Sequence, residues 1–179
     1  MKLLLVSGST RGASTNTAAL RTAVEVAPQG IEGVLYSDLA ELPAFNPDDD
    51  HDPLPATVAG LRELIAAADA VLFCAPEYAG ALPGSFKNLL DWTVGGMEMY
   101  RKPVAWINVA GPGRGANAQS ELETVLGYIN ASVIVPACRN IPIARDAVGA
   151  EGMVTDAGVR ASIADVLRVI ADANAALGG

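Results

Sequence analysis

The fold is decided by residues 3–17, which read LLLVSGSTRGASTNT. Four apolar residues are followed by a loop of glycine, serine, threonine and one arginine, and this loop runs into a segment with helical periodicity. An apolar run that ends in a glycine-rich turn before a helix is typical of the first βα unit of a parallel sheet. The stretch predicts a strand over 3–7 and a helix over 15–26, which Pro28-Gln29-Gly30 ends.

The same alternation continues along the chain and predicts four more strands and four more helices. The strands are expected at 33–36, 70–75, 104–109 and 132–135. The helices are expected over 56–68, from about 83, over 116–129 and over 156–177. Strict alternation of five strands with five helices predicts a single α/β domain over residues 1–179. Its expected form is a three-layer α/β/α sandwich with a five-stranded parallel sheet in the flavodoxin-like order 2-1-3-4-5.

The overall composition excludes several classes of function. Twelve Lys and Arg residues against twenty Asp and Glu residues give a formal net charge of −8, so no general basic field attracts nucleic acid or an anionic membrane. The apolar run at the N-terminus is too short for a signal sequence or a membrane span, and two cysteines make no disulfide framework. These features predict a cytoplasmic protein with no nucleic-acid partner and no membrane partner.

The single histidine does not indicate a metal site. His51 lies in the acidic run 48–52, and prolines at 47 and 53 flank it. Prolines on both sides are typical of irregular chain, so a solvated loop is favoured and no metal is predicted.

The loop over residues 8–17 carries the strongest functional pattern. In an open parallel sheet, ligands bind outside the carboxyl ends of the strands near the point where the strand order reverses. Glycines, hydroxyls, free helix-start amides and the guanidinium of Arg11 together predict a phosphate cradle. Neither GxxxxGK[ST] nor GxGxxG occurs in it, which argues against a nucleotide-hydrolysing P-loop and a Rossmann dinucleotide site. Ser14 or Asn16 is also expected to cap the helix, but a cap needs only one such side chain.

Two further loops follow predicted strands. Residues 76–92 read PEYAGALPGSFKNLLDW, in which one aromatic residue and several small ones suit the edge of a planar ring. Residues 110–115 read AGPGRG. With GSTRGASTN over 8–16, this set resembles the NADPH-dependent FMN reductases of the flavodoxin-like superfamily, which include quinone, azo-dye and chromate reductases. That family shows GS.R..S.N, then PEYN.S.P..LKN..DW, then a glycine-rich loop, in the same order.

The resemblance implies an FMN cofactor and assigns residues to it by position. The phosphate would be held by Ser9, Arg11, Ser14, Thr15, Asn16 and Thr17. The isoalloxazine ring would be bordered by Pro76, Glu77, Tyr78, Ala79 and Gly80, with Gly111 and Gly113 on its other side. The chain departs from the pattern at Ala79, where the family has Asn, and at Ala81, where it has a small polar residue. Side-chain bonds to the flavin from these two positions are therefore expected to be absent.

The activity implied by the resemblance is that of an NAD(P)H-dependent FMN oxidoreductase. Hydride would pass from NADPH or NADH through FMN to a small-molecule acceptor such as a quinone, an azo compound, a metal oxyanion or free flavin, with no catalytic acid or base side chain. A flavodoxin-type electron carrier is the alternative, but Arg11 in the phosphate loop and a single aromatic residue, Tyr78, argue against it. A third possibility is that FMN acts as a diffusing substrate.

The family also implies a homodimer or homotetramer, for which Met97, Met99 and Tyr100 are candidate contact residues. Four residues that follow Pro76–Gly80, namely Lys87, Asn88, Asp91 and Trp92, are predicted to be structural. Cys74 is predicted to be a small core residue.

Overall fold

The computed structural model describes residues 1–177. Its principal strands and helices, in chain order, are β1 (Lys2–Ser7), α1 (Thr15–Glu25), β2 (Glu32–Tyr36), α2 (Ala56–Ala67), β3 (Ala70–Cys74), α3 (Gly84–Asp91), β4 (Pro103–Asn108), α4 (Ala116–Tyr128), β5 (Ser132–Val133), β6 (Arg139–Asn140) and α5 (Ala157–Leu177). Short 3-10 helices occupy Leu39–Glu41, Pro47–Asp49, Val135–Ala137 and Arg145–Ala147. All five predicted helices are confirmed, with ends that agree within about one residue.

The sheet has the predicted parallel order, β2-β1-β3-β4-β5. Leu3 of β1 pairs with Gly33 of β2 on one side and with Ala70 of β3 on the other. The strand order therefore reverses between β1 and β3, as in flavodoxin-like sheets. Because all strands run in the same direction, the loops after β1, β3 and β4 emerge at one edge.

The fifth position of the sheet differs from the prediction of one strand over 132–135. It is shared by β5, which pairs with the start of β4, and β6, which pairs with Ile107 and Asn108 at the end of β4. Pro136 lies in the 3-10 helix between them, where the chain leaves the regular ladder. Proline has no amide hydrogen to donate and fixes its φ, so the apolar pattern of 132–135 cannot continue as one strand. The sheet consequently has six strands in five positions.

Two apolar layers cover the two faces of the sheet. One lies under α2, α3 and α4, and the other lies under α1 and α5. All five residues of β3 are buried, which explains the unbroken apolar run of that strand. Leu61 from one layer and Ile163 from the other are both fully buried, so each face has a packed centre. Among residues 1–177, no helix combines the length and apolarity that a membrane crossing needs.

Candidate functional site

A cleft of about 500 Å³ opens at the edge of the sheet where the loops after β1, β3 and β4 meet. It includes nine of the thirteen residues predicted for the cofactor site: Ser9, Arg11, Ser14, Thr15, Asn16, Pro76, Glu77, Tyr78 and Gly111. The structure thus brings together three loops that are far apart in the sequence. This is the location that the strand order predicts for a ligand.

One end of the cleft is rich in hydrogen-bond donors. Ser14 caps α1 with its own side chain, because its Oγ accepts from the amide of Thr17 at 3.4 Å. The amides of Thr15 and Asn16 have no acceptor within the described chain. Arg11 lies beside them, and its Nη2 donates to the carbonyl of Ala13 at 2.8 Å, which holds the guanidinium against its own loop. Free helix-start amides and a guanidinium form a favourable setting for a phosphate group.

The base of this end is fixed by bonds between β1 and α1. The hydroxyls of Ser7 and Thr17 lie 2.8 Å apart, and the Ser7 Oγ also accepts from the amide of Ser9 at 3.3 Å. Thr17 therefore lies behind the cradle rather than in the lining of the cleft. The amide of Thr17 donates to Oγ of Ser14 and so is not free to bind a phosphate.

Gly8 lets the loops after β1 and β3 approach each other closely. A Cβ at this position would lie 2.5 Å from the Cβ of Ala75 and 3.0 Å from the ring of Phe86, closer than side chains can pack. The amide of Gly8 donates to the carbonyl of Cys74 at 2.9 Å across the ends of β1 and β3. Glycine at this position is therefore a requirement for the cleft to exist in this form.

Cys74 is buried in the core, as predicted. Its Sγ donates to Oδ1 of Asn16 at 3.2 Å, and burial raises the pKa of the Cys74 thiol above its usual range. The thiol therefore stays protonated and serves packing at the base of α1.

The other end of the cleft is formed by a tight turn over residues 78–81. The amides and carbonyls of Tyr78 and Ala81 bond reciprocally at 3.0 Å, and the two residues between them have positive φ angles, 51° for Ala79 and 77° for Gly80. This is the pattern of a type I′ turn, which favours Asn-Gly because asparagine tolerates left-handed φ better than alanine. The difference from the family at position 79 therefore strains the turn. Ala79 and Gly80 do not line the cleft, whereas Tyr78 lines it and is 52% exposed.

Glu77 has a partner that the sequence did not indicate. Its Oε2 accepts from the amides of Asn117 and Ala118, at 3.0 and 3.3 Å, at the start of α4. The residue before this helix is Gly115, which has no side chain with which to cap it. Glu77 is therefore bound to α4 as well as exposed to the cleft.

Asn108, at the end of β4, shapes the third loop. Its Nδ2 donates to the carbonyl of Arg114 at 2.8 Å, and its Oδ1 accepts from the amide of Ala110 at 3.0 Å. Gly115, at φ +86°, lies so close that a Cβ there would be 2.7 Å from the Asn108 side chain. Gly111 lines the cleft, but Gly113 lies in the turn beyond it and does not.

Eight further residues line the cleft but were not predicted to bind the cofactor: Ala75, Asn108, Val109, Ala110, Arg114, Gly115, Ile143 and Arg145. Asn108 could have been predicted, because it is the one polar residue in the predicted strand 104–109 and lies near its carboxyl end. No pattern near Arg145 in the sequence indicated that it lines the cleft. It reaches the cleft because the segment just before it lies beside the end of β4, where the amide of Ile143 donates to the carbonyl of Val109 at 3.0 Å.

The structural roles predicted for α3 are confirmed. Lys87 and Asp91 pair at 2.6 Å, and the Asn88 side chain bonds to the backbone of Pro43 and Phe45. Trp92 is fully buried.

The contact prediction for 97–100 needs a correction. Met97 and Tyr100 are exposed, but Met99 is buried within the chain itself, so its side chain is not available to a partner. Among residues 1–177, no group of three or more His, Cys, Asp or Glu residues is arranged to hold a metal ion.

Comparison with known proteins identifies the family. The family model described as NADPH-dependent FMN reductase matches residues 1–146. The chain belongs to the NADPH-dependent FMN reductase family. An NAD(P)H-dependent FMN reductase of Pseudomonas aeruginosa is 33% identical over 95% of this chain and 93% of its own. A quinone reductase of Escherichia coli K12 is 32% identical over 75% of this chain and 73% of its own.

Solved structures agree with this assignment to the FMN reductase family. The flavoenzyme NAD(P)H:(acceptor) oxidoreductase FerB from Paracoccus denitrificans superposes with a TM-score of 0.75 and 28% identity, covering 96% of this chain and 97% of that one. The protein is an oxidoreductase that uses NAD(P)H and FMN. The prediction of an enzyme is thus confirmed, and the electron-carrier alternative is not retained.

The residues present fit FMN. The free amides of Thr15 and Asn16 beside Arg11 suit a phosphate dianion, and the cleft volume lies in the range of small-molecule sites, about 300–1,000 Å³. A bound FMN would supply the two-electron chemistry of the site, namely hydride acceptance from a nicotinamide and reduction of an acceptor.

Proposed function

We propose that the cleft holds FMN with its phosphate at the start of α1 and its ring between residues 76–78 and Gly111. The observation that carries this assignment is the asymmetry of the cleft, whose free helix-start amides and Arg11 lie at one end and whose aromatic residue lies at the other. The full set proposed to contact FMN is Ser9, Arg11, Ser14, Thr15, Asn16, Pro76, Glu77, Tyr78 and Gly111. Thr17, Ala79, Gly80 and Gly113 are proposed to shape the loops that carry these contacts.

We propose that the chain's own residues position donor and acceptor and perform no acid–base step. The one carboxylate in the cleft lining, Glu77, already accepts two amides of α4, and the other charged lining residues are arginines. The overall reaction, NAD(P)H plus a proton plus a quinone giving NAD(P)⁺ plus a hydroquinone, takes its proton from solvent. Tyr78 covers one edge of the cleft and leaves room for a flat acceptor.

The acceptor is proposed to be a small oxidised molecule such as a quinone, an azo compound, a metal oxyanion or free flavin. Relatives of this chain carry names of this kind, including an NADPH azoreductase of a Bacillus species, 37% identical over 75% of this chain and 73% of its own. Tyr78, at the proposed ring end, is 52% exposed, which suits acceptors that exchange with the spent nicotinamide.

The direct test is a titration of the purified protein with FMN, in which quenching of the flavin fluorescence reports binding. NADPH oxidation is then measured with a quinone, an azo dye and chromate in turn. Binding with turnover of at least one acceptor supports the proposal. Absence of FMN binding contradicts it. Gel filtration of the loaded protein distinguishes a retained cofactor, which elutes as a yellow protein peak, from a flavin that leaves as substrate.

Self-association, a single folding unit and a reducing cellular compartment are also proposed. Val94, Met97 and Tyr100 are exposed apolar residues within one short segment, and such a cluster favours contact with a second copy.

The free cysteines Cys74 and Cys138 suit a reducing environment such as the cytoplasm. Light scattering after gel filtration measures the mass of the assembly, and one cooperative unfolding transition is expected if the chain folds as one unit.

A further inference from the structure

The loop after β3 is attached to the rest of the protein through one helix, α4. Among residues 1–177, three hydrogen bonds join residues 76–82 to other parts of the chain, and each has its partner on α4. Two of them are the bonds that Glu77 accepts from the first amides of the helix. The third lies at the other end of the loop, where the amide of Leu82 donates to Oε2 of Glu121 at 2.6 Å. The loop is therefore held to α4 on both sides of its turn.

The carboxylate of Glu121 is available for this contact because nothing else engages its charge. It forms no ion pair among residues 1–177, and its side chain is half-buried. Leu82 is buried, at 6% exposure, so its amide has little access to water. A charged acceptor makes a stronger bond to an amide than a neutral one, and an amide left without an acceptor in such a place is unfavourable. The bond between Glu121 and Leu82 is thus a specific link between segments 39 residues apart.

The two links enclose the turn that carries Tyr78. Glu77 immediately precedes Tyr78, and Leu82 immediately follows Ala81. Tyr78 and Ala81 are the two residues that close the turn with reciprocal backbone bonds. The turn is therefore suspended between two carboxylate contacts, one on each side.

The tip of the turn lies over the same face of α4. A Cβ on Gly80 would be 3.8 Å from Nδ2 of Asn117. Asn117 and Glu121 are four residues apart, which places them on one side of a helix. A single helix face thus follows the loop from its beginning to its end.

The turn has little of its own with which to fix its position. Ala79 has a φ of 51°, which is unfavourable for alanine. Neither Ala79 nor Ala81 has a polar side chain that could bond to a neighbouring loop. The side chain of Tyr78 is 52% exposed, so packing holds only part of it. The position of Tyr78 in the cleft therefore depends on the contacts with α4.

We propose that Glu121 is a positioning residue of the reductase, which sets the place of Tyr78 in the cleft and so the alignment of the acceptor with the flavin ring. The inference rests on the proposed function, in which the ring lies between residues 76–78 and Gly111. Glu121 does not line the cleft and acts through the amide of Leu82. Its effect is expected on the acceptor more than on FMN affinity, because the proposed phosphate contacts belong to another loop.

The test compares the unmodified protein with three variants of Glu121 and one control. Glu121→Ala removes the acceptor of the Leu82 amide, and Glu121→Asp keeps the charge on a side chain one carbon shorter. Glu121→Gln keeps an acceptor oxygen at the original length. The control is Glu123→Ala, which removes an exposed carboxylate without an ion pair among residues 1–177 from the same helix.

The first measurement uses the flavin-free protein and follows hydrogen exchange of the Leu82 amide by NMR. Exchange is expected to be about tenfold faster or more in Glu121→Ala and Glu121→Asp, because this amide loses its acceptor. Exchange in Glu121→Gln should stay close to that of the unmodified protein. Glu123→Ala should leave it unchanged.

The second measurement uses the FMN-loaded protein. The kcat/KM for a quinone, at saturating NADPH, is expected to fall about tenfold in Glu121→Ala, mainly through a higher KM, because misalignment of a bound reactant slows its reaction. The visible absorbance bands of the flavin should shift, since Tyr78 no longer has its place beside the ring. Glu121→Gln is expected to recover most of both effects, and the FMN dissociation constant should change less than the KM for the quinone.

The proposal is overturned if Glu121→Ala matches Glu123→Ala in amide exchange, in the flavin spectrum and in the KM for the quinone. Faster exchange with an unchanged spectrum and KM also overturns it, because the contact is then structural only. If Glu121→Ala does not fold, Glu121→Asp takes its place in the same comparison. A failure of the proposed function is distinct, since it shows as no FMN binding to the unmodified protein, whereas the exchange of the Leu82 amide is measured without flavin.

Discussion

The helices α1 and α4 both begin at the cleft, but their first amides are satisfied in different ways. Ser14 caps α1 from within its own loop and takes only the amide of Thr17, so the amides before it stay free. At α4, the carboxylate of Glu77 comes from another loop and takes two amides. A carboxylate offsets the positive end of the helix dipole, whereas a serine hydroxyl leaves most of it in place. A helix that starts beside a cleft thus becomes an anion site only where its neighbours leave its amides unpaired.

This difference gives the cleft a direction. The open start of α1 lies next to Arg11, while the closed start of α4 lies next to Glu77 in the loop after β3. An anion is therefore expected at the α1 end and a neutral ring at the α4 end. Substitutions that remove a charge or a helix cap at either end test this polarity.

The largest effect is expected at the open end. Arg11→Ala should weaken FMN binding about 10- to 100-fold, because a hydrogen bond to a charged group contributes about 1.5–3 kcal/mol. Thermal stability should change little, since Arg11 is exposed. The matched variant is Arg114→Ala, which removes the same charge beside the closed start of α4, and its effect on the FMN dissociation constant should be several-fold smaller. Equal losses in the two variants would mean that the cleft has no polarity.

The next effect concerns the closed end. Glu77→Ala should lower the free energy of unfolding by about 1–2 kcal/mol, because the first amides of α4 lose their acceptor. Urea unfolding with an unchanged m value measures this loss. Glu77→Gln keeps an acceptor oxygen without the charge and should lose less. If Glu77→Ala unfolds at the same urea concentration as the parent, the carboxylate does not cap α4.

A smaller and opposite effect is expected in the turn that follows Glu77. Ala79→Asn should raise the free energy of unfolding by about 0.5–1 kcal/mol, because asparagine tolerates the left-handed φ of this position better than alanine. The control is Ala81→Asn, two residues along and without positive φ, which should not stabilise the chain. A stabilisation of equal size in both variants would indicate a cause other than turn geometry. FMN affinity should be unchanged by Ala79→Asn, since that residue does not line the cleft.

The smallest effect is expected for the ion pair of α3. Lys87 and Asp91 are each about one-third exposed and four residues apart, so their pairing should contribute no more than about 0.5 kcal/mol. A double-mutant cycle with Lys87→Ala and Asp91→Ala, read by urea unfolding, gives the coupling directly. A large loss of FMN affinity in either single variant would show that this helix, too, takes part in the polarity of the cleft.

Much of the site was predictable because its main features are local. The polar residues after β1 are visible in the sequence and most of them line the cleft, as do Pro76, Glu77 and Tyr78 after β3. The sequence did not show that Thr17 and Ala79 lie outside the cleft lining. Thr17 bonds to Ser7 behind the start of α1, and Ala79 lies at the tip of the turn 78–81. The fifth strand was predicted in the right position but too long, because the β pattern continues through the apolar residues 133–135, and only Pro136 and the pairing of β6 show where the ladder breaks.

The sequence by itself determined the alternation of strands and helices, the position of the phosphate loop and the family, because periodicity, turn residues and motif spacing are properties of neighbouring residues. Only the tertiary structure decided that Glu77 closes α4, that Asn108 shapes the third loop and that Glu121 holds the amide of Leu82. Each of these depends on which segments lie side by side across the edge of the sheet, and no local pattern records the partner of a side chain that comes from a distant part of the chain.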